Sequence, residues 1–227
     1  IKFELENFPT DIYRKGKKFI VCYRNGSSDE FDLVLEAVGR EPNLDKINLG
    51  NVNVKVNENS SIIVDNYFRT SQKNIFAIGD VIDKIQLTPV AIAEAMNVVH
   101  NLQSKKKIKF NYQNVPTAVF TNPNFACVGM TEETARRKVK NVKVFTSEFR
   151  PLRFSMSKLK DKVFVKMIIN SKNEKILGLH YIGESAAEII QGFAIAIVNG
   201  LTKSEIDKTI GIHPTSAEEI VTLKNWK

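Results

Sequence analysis

What the chain lacks narrows the field first. It has only two cysteines in 227 residues, Cys22 in "FIVCY" and Cys127 in "FACVGM", and neither has a Cys-x-x-Cys partner. A disulfide framework and a zinc site are thereby excluded, and no metal site is expected. Both thiols sit in apolar segments and read as buried and reduced, which fits a cytoplasmic setting. No apolar run approaches the roughly 20 residues that a membrane span needs, so no membrane partner is expected. The opening "IKFELENFPTDIYRK" has no charged-then-apolar secretory pattern and no initiator Met, as expected of an internal piece of a longer chain. Internal repeats and low-complexity tracts are missing too. The net charge of +8, with a run at Lys105, Lys106 and Lys107, raises nucleic acid as a partner. The basic residues are scattered, however, and no reading motif accompanies them, so a solvated lysine-rich surface is the expectation.

What is present is an ordinary folded composition, 43% hydrophobic and 26% charged, enough for one large domain or two small ones. "KKFIVCYR" and "EFDLVLEAVGR" flank a turn-like "NGSS" at 25–28 and predict two strands. "GREPN" at 39–43 breaks the chain at a candidate domain boundary. "SSIIVDNYFRT" and "KNIFAIGD" read as two more strands, and a helix runs from Thr88 to about Gln103. After residue 113, "VPTAVFTNPNFACVGM" predicts strands with proline-marked bends and "TEETARRKV" a short helix. "DKVFVKMIINSKNEKILGLHYIG" predicts strand, turn and strand. "ESAAEIIQGFAIAIVNG" follows as a helix with a Ser185–Glu188 capping box and a Gly200 stop, and Thr202–Glu205 caps another. The 186–199 helix is apolar on nearly every face, so it must be buried within its domain, against a second subunit, or both.

Two stretches carry chemistry. Gly79-Asp80 follows the apolar run Ile75–Ile78, which fits a strand buried on both faces of a parallel sheet. Ligands in such folds bind beyond the carboxyl ends of the strands, where glycine admits a close approach and Asp80 can accept from sugar-like hydroxyls. The plain alternative is an ordinary strand-end turn. Downstream, Leu87 leads into Thr88 as N-cap and Pro89 as first helical residue, and the free N–H groups of that helix would suit a partly negative ligand atom. The second stretch is "GIHPTSAEEIVTL" at 211–223. Thr215-x-x-Glu218 and Ser216-x-x-Glu219 both form capping-box patterns, and one box suffices, so one glutamate is left over. A carboxylate within reach of His213 would orient the imidazole for proton transfer. The alternative is that His213 is only a structural corner.

"FAIGDV", "LTPVAIAEA", "VPTAVFTNPNFACVGMTEETA", "EIIQGFAIAIVNG" and "IGIHPTSAEEIVTL" together resemble the flavin-dependent pyridine nucleotide–disulfide oxidoreductases, nearest the branch that reduces glutathione disulfide. The resemblance implies parts of a Rossmann-like α/β unit that binds FAD and NAD(P), followed by an α+β dimerisation domain with an antiparallel sheet. Residues 1–41 would close the NAD(P)H domain, 42–112 the FAD-binding part, and 113–227 would form the homodimer interface. Asp80 with Gly79 would then hold the ribityl chain of FAD, Thr88 with Leu87 the pyrimidine edge of the flavin, and Gly39 and Arg40 the NADPH corner. His213 would be the acid/base and Glu218 its orienting carboxylate. The glycine-rich fingerprints and the Cys-x4-Cys pair of that family are absent from the chain, so by itself it is expected to hold neither cofactor stoichiometrically. Met96 stands where some of that branch carry a substrate-binding arginine, and "HPTSAEE" also occurs in trypanothione reductases. Those enzymes, dihydrolipoamide and mercuric reductases, and a non-catalytic dimerisation module remain the alternatives.

Overall fold

A computed structural model describes residues 2–224, which divide into two compact units meeting in sequence at Ala91 and Ile92. The first opens with an antiparallel meander of β1 (Pro9–Lys15), β2 (Lys18–Tyr23) and β3 (Ser28–Phe31) in that spatial order. Its second turn forms because Gly26 takes a positive φ of 82° and Asn25 Oδ1 accepts from the Ser27 N–H. The sequence pattern did not mark β1, whose residues are almost all exposed and show no apolar alternation. It also extended β3 too far. Leu33, Leu35 and Val38 are all more than 80% exposed and pair with no strand among the described residues.

The strands expected in "SSIIVDNYFRT" and "KNIFAIGD" are likewise replaced by isolated bridges, Val56↔Ile62 and Arg69↔Phe76. Local turns consume the backbone groups that a ladder would need. Asp65 Oδ1 accepts from the N–H groups of Tyr67 and Arg69, and Phe68 takes a positive φ of 64°. The Ile75–Ile78 run is therefore not a doubly buried parallel strand: only Ala77 is buried, and its N–H donates to Phe68 O. The small core here comprises Val54, Ile62, Phe68, Ala77, Ile82 and Val90.

Helix α1 (Thr88–Gln103) has the predicted bounds. The lysine-rich segment after it is tied back by side chains. Asn101 both donates to Ile108 O (2.9 Å) and accepts from Ile108 N (2.7 Å), and Tyr112 Oη donates to the buried carboxylate of Glu94 (2.5 Å).

The second unit is built on a five-stranded antiparallel sheet ordered β4 (Thr117–Val119), β5 (Phe125–Gly129), β8 (Ile176–Ile182), β7 (Val163–Asn170), β6 (Val142–Phe149). Period-2 alternation in β7 sends Val163, Val165, Met167 and Ile169 into the main core. Ile168, on the other face, packs with Val144 and with Ala135 of α2 (Glu132–Lys138). Helix α3 (Ala186–Val198) closes the main core with Ala186, Ile190, Ala194 and Ile197.

The expected Ser185–Glu188 box does not form. Ser185 is left-handed (φ 58°), whereas a capping side chain needs extended backbone. The predicted stop does form: Gly200 takes φ 74°, its N–H bonds Ile197 O, and Leu201 N–H bonds Ala196 O. Helix α3 leaves Ile195 66% and Val198 60% exposed, so burial within its own unit accounts for only part of its apolar surface. Helix α4 (Lys203–Ile206) carries the predicted Thr202–Glu205 box with both reciprocal bonds. Cys22 and Cys127 are half-buried free thiols rather than fully buried ones, each on a short strand that leaves one side partly open. Among the described residues no helix is long and apolar enough to cross a membrane.

Candidate active site

The C-terminal stretch is held down by its own apolar residues. Ile220 (0% exposed), Val221 and Leu223 enter the core of the second unit through α5 (Glu218–Val221). That anchor presents Glu218 to His213, which precedes it on an exposed corner. The imidazole Nδ1 lies 3.0 Å from Glu218 Oε1 and 3.1 Å from Oε2. A carboxylate can only accept there, so Nδ1 carries a proton and donates it, leaving Nε2 as the exchanging nitrogen. The histidine side chain is 72% exposed and that of Glu218 only 21%. A partly buried carboxylate thus backs an open imidazole.

Glu218 also completes the Thr215 box: Thr215 N–H donates to Oε1 and Glu218 N–H donates to Thr215 Oγ1, each at 3.3 Å. One glutamate therefore serves both the helix cap and the imidazole, where the two overlapping box patterns left one glutamate over. A carboxylate has about four lone-pair positions, enough for both tasks. The neighbouring Glu219 instead accepts from Ser147 Oγ on β6 at 3.4 Å.

One contributor went unread in the sequence. A Cβ on Gly211 would lie 2.8 Å from Glu218 Cβ and 3.4 Å from Val221 Cγ2, so the bare backbone of Gly211 is what lets the His213 loop lie against α5. Its signal was present, a glycine two residues before the histidine. The far wall had no local signal. A cavity of about 210 Å³ opens beside His213, lined across from it by Arg150, Leu152 and Arg153, some sixty residues earlier. Arg150 is a loop organiser, donating through Nη2 to the carbonyls of Phe154, Ser157 and Leu159. Arg153 pairs with Glu184 and stacks over Phe154.

In the first unit, Gly79 and Asp80 open a 3-10 turn over Gly79–Ile82. Gly79 has φ 71°, and a Cβ there would meet Ala91 Cβ at 3.1 Å, so glycine brings this turn close to the start of α1. Asp80 Oδ2 accepts from Arg40 Nη2 at 2.6 Å, while Oδ1 has no partner among the described residues. Gly39, just before Arg40, is exposed with φ 102°.

The cap of α1, though not its bounds, differs from expectation by one residue. Leu87 O accepts from Val90 N and Ala91 N, so Leu87 occupies the capping position and Thr88 is the first helical residue. With Pro89 lacking an N–H, Thr88 offers the only amide of that turn without a partner among the described residues, fewer than the sequence suggested. A free carboxylate oxygen, a backbone approach open only to glycine and one free helix amide fit a polyol-bearing, partly anionic group such as a flavin.

Residues 1–95 match the family described as pyridine nucleotide-disulphide oxidoreductase, and residues 115–224 match the pyridine nucleotide-disulphide oxidoreductase dimerisation domain. The chain is 42% identical over 225 residues, 99% of its length, to the chloroplastic/mitochondrial glutathione reductase of Pisum sativum, of which it covers 41%. It is 44% identical over 94% of its length to glutathione reductase of Burkholderia cepacia, covering 48%. The chain thus spans about half the length of these curated relatives. Among solved structures it resembles the HOCl-induced flavoprotein disulfide reductase RclA from Escherichia coli. The TM-score there is 0.85 at 27% identity, over 95% of this chain and 50% of that one.

Proposed function

We propose that this chain, which belongs to the pyridine nucleotide-disulphide oxidoreductase family, acts as the C-terminal part of a flavin-dependent disulfide reductase whose substrate is glutathione disulfide. In this reading residues 1–41 complete the nucleotide domain, residues 42–112 contribute to the flavin site, and residues 113–227 form a homodimer interface. Flavin, when bound, would supply the relay of electrons from NADPH to a protein dithiol, for which these 227 residues carry no Cys-x4-Cys pair. Asp80 would accept from the ribityl hydroxyls, and Thr88 with Leu87 would face the ring.

His213 serves the disulfide half of the reaction. A thiolate of the protein dithiol attacks one sulfur of the substrate and forms a mixed disulfide. As the substrate S–S bond breaks, the departing sulfur takes the proton from Nε2 and leaves as a thiol, which lowers the cost of expelling a thiolate. Glu218 holds the proton on Nδ1 and fixes the orientation of the ring. The carrying observation is the His213–Glu218 pair at 3.0 Å, seated on a terminus whose Ile220 and Leu223 are buried.

The test is His213→Gln in the full-length flavoprotein. Reduction of the flavin by NADPH should be unchanged, while reoxidation by glutathione disulfide should slow by roughly 10²–10⁴-fold, the contribution of a general acid. Glu218→Gln should slow the same half-reaction less, because the imidazole remains. If both half-reactions slow equally, or neither does, His213 is a structural corner and the reading fails.

A further inference from the structure

We propose that Arg40 is a positioning residue of the flavin site, acting through Asp80, rather than a contact of the nicotinamide nucleotide. The inference rests on the assignment of Asp80 to the flavin. Arg40 reaches forty residues along the chain to place Nη2 2.6 Å from Asp80 Oδ2, a charge-assisted bond at the short end of its range. No element of secondary structure requires this contact. Both partners lie on irregular backbone, Arg40 between Gly39 and Glu41-Pro42, and Asp80 in the 3-10 turn.

The corner is built to aim the side chain. Gly39 has φ 102°, which a side chain rarely tolerates, and the residue before Pro42 is restricted to extended backbone. The bond engages one carboxylate oxygen only, and among the described residues the Asp80 carboxylate has no other hydrogen-bond partner. Arg40 therefore sets the plane of the carboxylate and points Oδ1 away from itself, into the position where a hydroxyl can donate. Without Arg40 the carboxylate turns freely about its last bond and must be ordered by the ligand itself.

The pair is partly open to solvent, with side-chain exposures of 70% and 39%, so the effect of losing it is modest. In the full-length holoenzyme, Arg40→Gln should weaken flavin retention by about two- to fivefold, the range an open ion pair supports. Release is read from the fluorescence of flavin freed on dilution. In an Asp80→Asn background the same substitution should have no effect, because the group it positions is gone. The KM for NADPH should stay at the wild-type value, and Arg40→Lys should recover part of the flavin retention.

A raised KM for NADPH with wild-type flavin retention would overturn the proposal. So would an Arg40→Gln effect of the same size with and without the Asp80 carboxylate. Should the Gln variant fail to fold, the Lys variant carries the same comparison. A wild-type protein that holds no flavin would instead overturn the functional reading, and this inference with it.

Discussion

Gly211→Ala tests the geometry of the acid/base site with a single methyl group. The new Cβ would lie 2.8 Å from Glu218 Cβ, short of ordinary contact by about 0.6 Å, and 3.4 Å from both Glu218 Cα and Val221 Cγ2. Gly211 does not have a positive φ, so alanine adds no backbone strain and the effect is purely steric. Neither neighbour can swing aside. Val221 is buried in the core, and Glu218 begins α5. Overpacking of this kind costs about 1–3 kcal/mol. If the loop yields instead, a displacement of about 0.6 Å stretches the 3.0 Å His213–Glu218 contact beyond hydrogen-bonding range. Urea unfolding should report the first loss. The rate of flavin reoxidation by glutathione disulfide should report the second, a fall of roughly 10- to 100-fold for a misplacement approaching 1 Å. Gly192→Ala is the control: it lies within α3 with no atom within 4 Å of the added methyl, and should stabilise by about 0.5–1 kcal/mol. A Gly211→Ala protein as stable and as fast as the wild type would refute the close packing of the His213 loop on α5.

If residues 113–227 form a homodimer interface, the chain should sediment as a dimer at micromolar concentration. Charging the exposed face of α3 with Ile195→Asp and Val198→Asp should then yield monomers. His180 should make the fold acid-sensitive. Burial lowers its pKa below the ordinary histidine value of 6.5, and its Nε2 faces Met130 O at 3.0 Å. The unfolded chain therefore binds the proton first, so this histidine's contribution is intact above pH 6.5 and is lost as pH falls through the folded-state pKa. His180→Gln should flatten that limb of a stability–pH curve measured by urea titration. Thr202→Ala removes the reciprocal box of α4 and should lower stability by about 1 kcal/mol in the same titration.

Local pattern sufficed wherever a structure satisfies its own hydrogen bonds or alternates against one buried face. The bounds of α1, the Thr202–Glu205 box, the Gly200 stop and the β7–β8 pair were all legible in that way. So were His213 and Glu218 as neighbours, because they lie only five positions apart. Pattern failed where an apolar run had no partner strand to make it a strand, as at Leu33–Val38 and Ile75–Ile78. Apolarity says that a segment is to be covered, not what hydrogen-bonds its backbone. It failed at Ser185, where the backbone conformation required for capping is set by how the chain arrives from β8. Tertiary structure alone decided that Glu218 serves both the helix and the imidazole, that Gly211 must lack a side chain, and that Arg40 turns to Asp80. Each depends on two segments being brought within about 3 Å, and residue type and spacing carry no information on contacts made by the closing of a loop or a core.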